Sequence, residues 1–204
     1  MNFRDLLLQV CADHIQPSPV QLDALEHHCQ LLVRWNQTLN LTRVESLEEI
    51  VRLHFFESLF LASLLPSGPL RLADLGSGAG FPGVPVAALR PESGVLLIES
   101  HQRKAVFLRE AARVLSNATI FAGRAEDLRQ HFDWIVSRAV NPSLVLSISA
   151  RFAPRVALLS SLKELERLPK PEHVQPVPGT ANRVVAVFHV EHVNLERDKI
   201  DKRG

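Results

Sequence analysis

The sequence predicts an α/β fold: a Rossmann-like sheet with an N-terminal helical cap. Three observations carry that reading. Residues 1–65 place apolar residues at helical spacing. From Leu70 onward, short apolar runs alternate with helical stretches. The first of these runs, Leu70-Arg71-Leu72-Ala73, opens directly into Asp74-Leu75-Gly76-Ser77-Gly78-Ala79-Gly80-Phe81-Pro82-Gly83. A strand that meets an acidic residue and then a glycine-rich turn lets the backbone bend tightly and approach a ligand with no Cβ in the way.

Taken in order, Ser18-Pro19-Val20-Gln21 offers an N-cap, a proline at the first helical position and a capping glutamine. Leu22, Leu25, Cys29, Leu32 and Val33 then recur at helical spacing. Ser46-Leu47-Glu48-Glu49 is a second capping box, opening a helix toward Leu65. Pro66-Ser67-Gly68-Pro69 punctuates the chain. It divides a helical cap (1–66) from a sheet domain (67–192), and the mixed-charge stretch 193–204 reads as a flexible tail. Strands are expected near 70–75, 94–99, 118–122, 132–138 and 155–160, with a last strand at Arg183–His189 after the proline-rich 169–178. The clearest helix between them is 101–115, where Ala105, Leu108, Ala112 and Leu115 share a face. Strands this continuously apolar are buried on both sides, which implies a parallel sheet covered by helices.

The 204 residues carry a formal charge of +1, so no overall field draws the chain to nucleic acid or membrane. Any RNA footprint must come from arginines and lysines gathered on one face, among them Arg34, Arg43, Arg52, Arg103, Lys104, Arg124 and Arg183. The two cysteines, Cys11 and Cys29, form neither a metal spacing nor a disulfide framework. His27-His28-Cys29 points around a helix and His189 with His192 lies along a strand, so neither group converges as metal ligands. No apolar stretch reaches membrane-span length, and residues 1–15 read as an amphipathic helix, giving a cytoplasmic expectation.

Gly78, Gly80 and Gly83 match the dinucleotide fingerprint G-x-G-x-x-G, with Glu99 ending the next strand. Two features argue against a pyrophosphate there. Asp74 stands before the first glycine, where it repels phosphate, and Pro82 and Pro85 remove backbone donors from the turn. S-adenosylmethionine, a cationic sulfonium with an adenosine, suits these residues better than a nicotinamide dinucleotide. A carboxylate beneath the turn tolerates its positive end, and Glu99 can accept from both ribose hydroxyls. Glu126, in Gly123-Arg124-Ala125-Glu126-Asp127, follows the third strand where the adenine would lie. A nicotinamide cofactor and a turn with no ligand stand as the alternatives.

The combination of Asp74–Gly83 with Glu99-Ser100, Arg103-Lys104, Phe107-Leu108, Phe132-Asp133 and Ser137-Arg138-Ala139 resembles the RsmG (GidB) family of bacterial 16S rRNA guanine-N7 methyltransferases. Trp35-Asn36, Asn40-Leu41-Thr42, His54 and Glu57-Ser58-Leu59 look like that family's N-terminal signature, with Glu57 where aspartate is usual. The similarity covers roughly residues 20–190. It implies a seven-stranded sheet whose last strand is antiparallel. It also implies an S-adenosylmethionine pocket of Gly76, Gly78, Gly80, Phe81, Glu99, Ala125, Glu126 and Arg138 above Asp74, with Arg138 and Arg183 needed for activity. The implied substrate is one guanine of 16S ribosomal RNA, naked or within a 30S or precursor particle, methylated by a monomer without metal or membrane. The sequence departs from the family after the fifth strand, where Ala157-Leu158-Leu159-Ser160-Ser161 has neither residue of the usual Lys-Gly pair. This keeps a non-catalytic S-adenosylmethionine- or RNA-binding module as an alternative, beside a nicotinamide-dependent oxidoreductase.

The chemistry fits that substrate on its own terms. Attack through a pyrimidine carbon needs a cysteine beside the cofactor, and both cysteines lie in the N-terminal helices. Methylation of an exocyclic amine needs an Asn/Asp-Pro-Pro-aromatic turn, whereas Asn141-Pro142-Ser143-Leu144 comes too late, lacks the aromatic and reads as a helix start. Guanine N7 already has an in-plane lone pair and no proton, so positioning and water exclusion suffice. Arg138 would then orient the guanine O6 or a phosphate. Its bland alternative is a strand-end arginine paired with Asp133 or Glu126. Trp35 and His54 read as packing residues.

Overall fold

The computed structural model describes residues 1–190, and the tail expected at 193–204 lies outside them. The helix signals of the first segment act where the sequence places them. Ser18 and Gln21 close a reciprocal capping box on α2 (Pro19–Leu39), which follows α1 (Phe3–Cys11). The left-handed residue Asn40 then ends α2. Ser46 accepts from the Glu49 amide and starts a rod made of α3 (Leu47–Glu49), a π-helical stretch (Ile50–Phe56) and α4 (Glu57–Leu64). Non-helical turns at 12–18 and 40–46 separate the helices and end at the caps the sequence offers, Ser18 and Ser46.

The sheet order is β3-β2-β1-β4-β5-β7-β6. Its strands are β1 (Arg71–Leu75), β2 (Gly94–Ile98), β3 (Ala118–Phe121), β4 (Trp134–Arg138), β5 (Arg155–Ser161), β6 (His173–Pro176) and β7 (Arg183–His189). The first five pair in parallel, and β7 runs antiparallel between β5 and β6. The helices between strands are α5 (Gly83–Leu89), α6 (Gln102–Ala111), α7 (Pro142–Ser149) and α8 (Leu162–Leu165), and the Asn141 side chain caps α7. Strand β6 falls within the stretch read from the residues as a proline-rich connection. All four of its residues are exposed and Pro176 ends it, which only an edge strand permits.

Alternation along the strands sorts the core into two layers. Leu72, Val95, Leu97, Trp134, Val136 and Leu159 face a cluster that also holds Phe3, Leu7, Leu25, Leu32, Phe55, Leu59 and Phe107. The N-terminal helices, α5 and α6 thus share one apolar layer with that face of the sheet. Each fully buried Leu or Phe there stabilises the fold by about 1.5–3 kcal/mol. Ala73, Leu75, Ile135, Val156, Leu158 and Phe188 face the opposite layer with Val145, Leu146 and Phe152.

Arg90 secures the connection between the helices and the sheet. Its Nη1 donates to the Leu65 carbonyl at 3.3 Å, and its Nη2 donates to those of Pro66 at 2.6 Å and Gly68 at 2.9 Å. The carbonyls of a buried non-repetitive segment need such donors. Their satisfaction fixes where β1 enters the sheet. Among the described residues no helix is long and apolar enough to cross a membrane.

Candidate active site

The site grows from the C-terminal ends of β1, β2 and β4, the general position for ligands in open α/β sheets. Asp74 lies on the helix-covered face of β1 and is fully buried. Its Oδ2 accepts the Gly83 N–H at 2.9 Å, while Oδ1 has no hydrogen-bond partner among the described residues. Burial pushes the carboxyl up to about 7, opposed in part by the Gly83 hydrogen bond. A Cβ on residue 83 would sit 2.5 Å from that oxygen, so glycine is required for the carboxyl to reach the start of α5. The N–H that could have met a phosphate is thereby already taken.

Between Asp74 and α5 the chain turns through Gly76, Gly78 and Gly80, all left-handed. At Gly76 (φ +76°) a Cβ would also run into Val140 Cγ2, so the turn lies directly against the segment after β4. Glu99, nearly buried after β2, holds the turn from the other side. Its Oε2 accepts from Gly78 N–H at 3.0 Å and its Oε1 from His101 N–H at 2.7 Å. Each carboxylate oxygen retains a second lone pair for a ligand hydroxyl.

Phe81 carries the turn on a stack of rings. It lies between His28 (centroids 4.7 Å apart, 33° tilt) and His54 (4.9 Å, 34°), with Phe55 edge-on at 5.1 Å. His28 Nε2 meets the Ala79 carbonyl at 2.8 Å, so that nitrogen carries the proton. His54 Nε2 meets Thr42 Oγ1 at 2.7 Å. Burial lowers the His28 pKa to about 4. Burial, and then the positive charge of Arg138, lowers that of His54 to about 3. Both rings are neutral at physiological pH.

Above this floor opens a cavity of about 420 Å³ lined by Thr42, His54, Gly76, Gly78, Phe81, Glu99, Lys104 and Arg138 among others. A second cavity, about 200 Å³, shares Arg138, Ala139 and Val140 with it and continues to Pro142, Leu159, Ser160, Glu164 and Arg183. The two form one trench.

The charges between the cavities are organised by Glu57, which is fully buried. The π-helical stretch ends immediately before it, so that His54 and Glu57 both reach the site. Arg183, the first residue of β7, donates to Glu57 in a fork, Nε to Oε1 at 3.1 Å and Nη2 to Oε2 at 3.0 Å. Arg138 Nε lies 4.0 Å from the same Oε2, and its buried Nη1 has no hydrogen-bond partner among the described residues. Asp133 is engaged with Arg71, not with Arg138, which removes the pairing the sequence allowed.

Of the residues singled out from the sequence, Gly76, Gly78, Phe81, Glu99 and Arg138 meet on one cavity wall, with Asp74 and Gly80 beneath or behind them. Arg183 reaches the same trench from the start of β7. Ala125 and Glu126 sit on a 3₁₀ turn (Ala125–Asp127) after β3 and do not line either cavity. Sequence reasoning passed over the bridging role of Glu57 and the ring contacts of His28. A signal existed for each: Glu57 is an acid inside the apolar run Phe55–Leu61, and His28 falls at helical spacing between Leu25 and Leu32.

A family model described as rRNA small subunit methyltransferase G, GidB, matches residues 21–153. The chain belongs to this family. The matched span contains the GidB glycine turn, Glu57, Glu99 and Arg138, whereas Arg183 and Glu164 lie beyond it. The ribosomal RNA small subunit methyltransferase G of Dichelobacter nodosus (strain VCS1703A) is 40% identical over 124 residues, covering 59% of this chain and 58% of that protein. Its namesake in Xanthomonas axonopodis pv. citri (strain 306) is 44% identical over 121 residues, 57% of this chain and 56% of that protein. The chain thus matches little more than half the length of these curated relatives. Among solved structures, a SAM-dependent methyltransferase from Aquifex aeolicus shares the fold, with a TM-score of 0.53 at 15% identity over 69% of this chain and 93% of that one.

Proposed function

We propose that this chain transfers a methyl group from S-adenosylmethionine to N7 of a single guanine in 16S ribosomal RNA. The observation that carries the reading is the trench: a glycine-walled cavity over a buried carboxyl, joined through Arg138, Ala139 and Val140 to a smaller cavity bearing two arginines. Family membership supplies the reaction class.

The residues fit the cofactor. The larger cavity falls in the size range of small-molecule sites, about 300–1,000 Å³. Gly76 and Gly78 supply side-chain-free backbone to its wall, and Glu99 offers its remaining lone pairs to ribose hydroxyls. The buried Asp74 carboxyl beneath the turn has Oδ1 unpartnered among the described residues and its pKa pushed up to about 7. It gains from a cation above it, which draws it back toward the ionised form. The adenine end would extend past Glu99 toward Ala125 and Glu126. When bound, S-adenosylmethionine supplies an electrophilic methyl on a sulfonium.

The chain's own residues then have a limited task. Guanine N7 carries no proton, so no general base is required. As its lone pair forms the new N–C bond, the C–S electron pair stays on sulfur and positive charge passes to the base. Arg138, which lines both cavities, would hold the guanine O6 and fix the in-line approach. Glu57 and Glu164 balance Arg138 and Arg183, so the base does not gain its charge against uncompensated cations. Neutral His28 and His54 keep the Phe81 support apolar.

The substrate is presented as naked RNA or within a 30S or precursor particle, and the enzyme acts in the cytoplasm as a monomer without metal. Two measurements test this reading. Ribosomal RNA from a strain lacking the gene should take up labelled methyl from S-adenosylmethionine, and the product should be N7-methylguanine. Calorimetry should show uptake of S-adenosylhomocysteine and none of NADH; the reverse pattern overturns the proposal.

A further inference from the structure

We infer that Glu164 selects the base, accepting hydrogen bonds from N1–H and the 2-amino group of guanine in the smaller cavity. The inference rests on the methyl-transfer reading above. Glu164 supplies the carboxylate of that cavity's lining, which it shares with Arg138 and Arg183. It stands on α8, which begins directly after Ser160-Ser161 at the end of β5.

The side chain is held ready. Its Oε2 accepts from Ser160 Oγ at 2.8 Å, Ser161 N–H at 3.0 Å and Ser161 Oγ at 3.0 Å. The Ser160 and Ser161 hydrogen bonds, with the nearby Arg183, hold its pKa below the usual carboxylate range, so it is an acceptor at neutral pH. All these bonds fall on Oε2, which orients the group and leaves Oε1 for a ligand donor. Only guanine among the common bases pairs an acceptor, O6, with two adjacent donors, N1–H and the 2-amino group. Guanidinium and carboxylate groups lining one cavity supply the donor and the acceptor that this edge needs. Adenine presents an amine to the arginine and a bare N1 to the carboxylate, which is repulsive at both points. N7, beside O6 on the Hoogsteen edge, takes no hydrogen bond from Glu164 and is left open to the methyl donor.

The test compares GMP with IMP, which lacks only the 2-amino group, in NMR titrations of the full chain saturated with S-adenosylhomocysteine. GMP is expected to bind about 10-fold or more tightly than IMP, as a charge-assisted hydrogen bond implies, and AMP more weakly than either. Glu164→Gln keeps an oxygen acceptor for the serines and should bring the GMP:IMP ratio close to one at unchanged thermal midpoint. Ser160→Ala, which only loosens the carboxylate, should give an intermediate ratio. Equal binding of GMP and IMP by the unaltered chain, or a ratio that survives Glu164→Gln, overturns the inference. Methyl incorporation into ribosomal RNA is scored separately: its failure with the nucleotide ratio intact would sink the proposed reaction and leave the base selection standing.

Discussion

The two walls of the trench are built by different means. The cofactor wall is made of backbone: one turn, Asp74–Gly83, whose shape is fixed by left-handed glycines and by carboxylates that accept its N–H groups. The acceptor wall is made of long side chains brought from opposite ends of the chain, as in the fork between Glu57 and Arg183, 126 residues apart. A backbone wall fails through steric intrusion, whereas a charge-paired wall fails when one partner is lost.

The largest effect should follow from removing Glu57. Glu57→Ala leaves Arg183 and Arg138 facing a buried gap, and breaking a buried pair from one side costs about 3–5 kcal/mol. In a chain of this size that lowers Tm by roughly 6–20 °C. Removing Arg183 as well, in Glu57→Leu/Arg183→Leu, should restore part of the loss. If the double variant is as unstable as the sum of the singles, the fork is not the organising contact of this wall.

Acid tests the floor that both walls share. The pKa of His28 falls from 6.5 to about 4, so the unfolded chain takes up its proton first and stability declines as pH drops below 6.5. At pH 4 the loss is on the order of 3 kcal/mol from His28, with His54 acting in the same direction. Asp74 has the opposite sign: the folded state binds its proton near pH 7 and the unfolded state only near 3.8, so this group favours folding more as pH falls. Urea midpoints of the parent chain and His28→Phe at pH 7 and pH 4 should show a flatter decline in the variant. Parallel declines would mean that His28 is not buried neutral beside Phe81.

The contrast between the walls also explains what could be read from the sequence. Asp74, Gly76, Gly78, Gly80, Phe81 and Glu99 are local features whose chemistry follows from neighbours in the chain or from the end of the next strand. The five parallel strands and α7 were legible for the same reason, through apolar runs and an Asn-Pro helix start. Local pattern signals that Glu57 and His28 are buried, but their partners, and the environment of Arg138, depend on pairings across the fold that no local periodicity encodes. Strand β6 was illegible because edge strands need neither an apolar face nor freedom from proline.

Smaller perturbations separate the walls more finely. Gly76→Ala adds a Cβ at positive φ and against Val140, a combined cost of about 2–4 kcal/mol borne by the cofactor wall. It should weaken S-adenosylhomocysteine binding by 10-fold or more on calorimetry and GMP binding by less, since Val140 lines both cavities. Arg138→Lys should do the reverse. A lysine keeps the charge but not the fork, so single-turnover methyl transfer should fall about 10- to 100-fold while S-adenosylhomocysteine affinity stays within about 3-fold. A rate near the parent's would remove Arg138 from the positioning role.

The smallest effect concerns the outer limit of the cofactor wall. Glu126 is exposed on its 3₁₀ turn and lies outside the cavity lining, so any hydrogen bond it makes to the adenine is made at the surface. Such a bond is worth about 0.5–1.5 kcal/mol. Glu126→Gln should therefore weaken S-adenosylhomocysteine binding by about 2- to 10-fold, and Glu99→Gln by more, because Glu99 also holds the Gly78 and His101 amides in place. Equal losses from the two variants would mean that the adenine is gripped as tightly at the rim as the ribose is at the floor. No loss from Glu126→Gln would end the cofactor wall at Glu99.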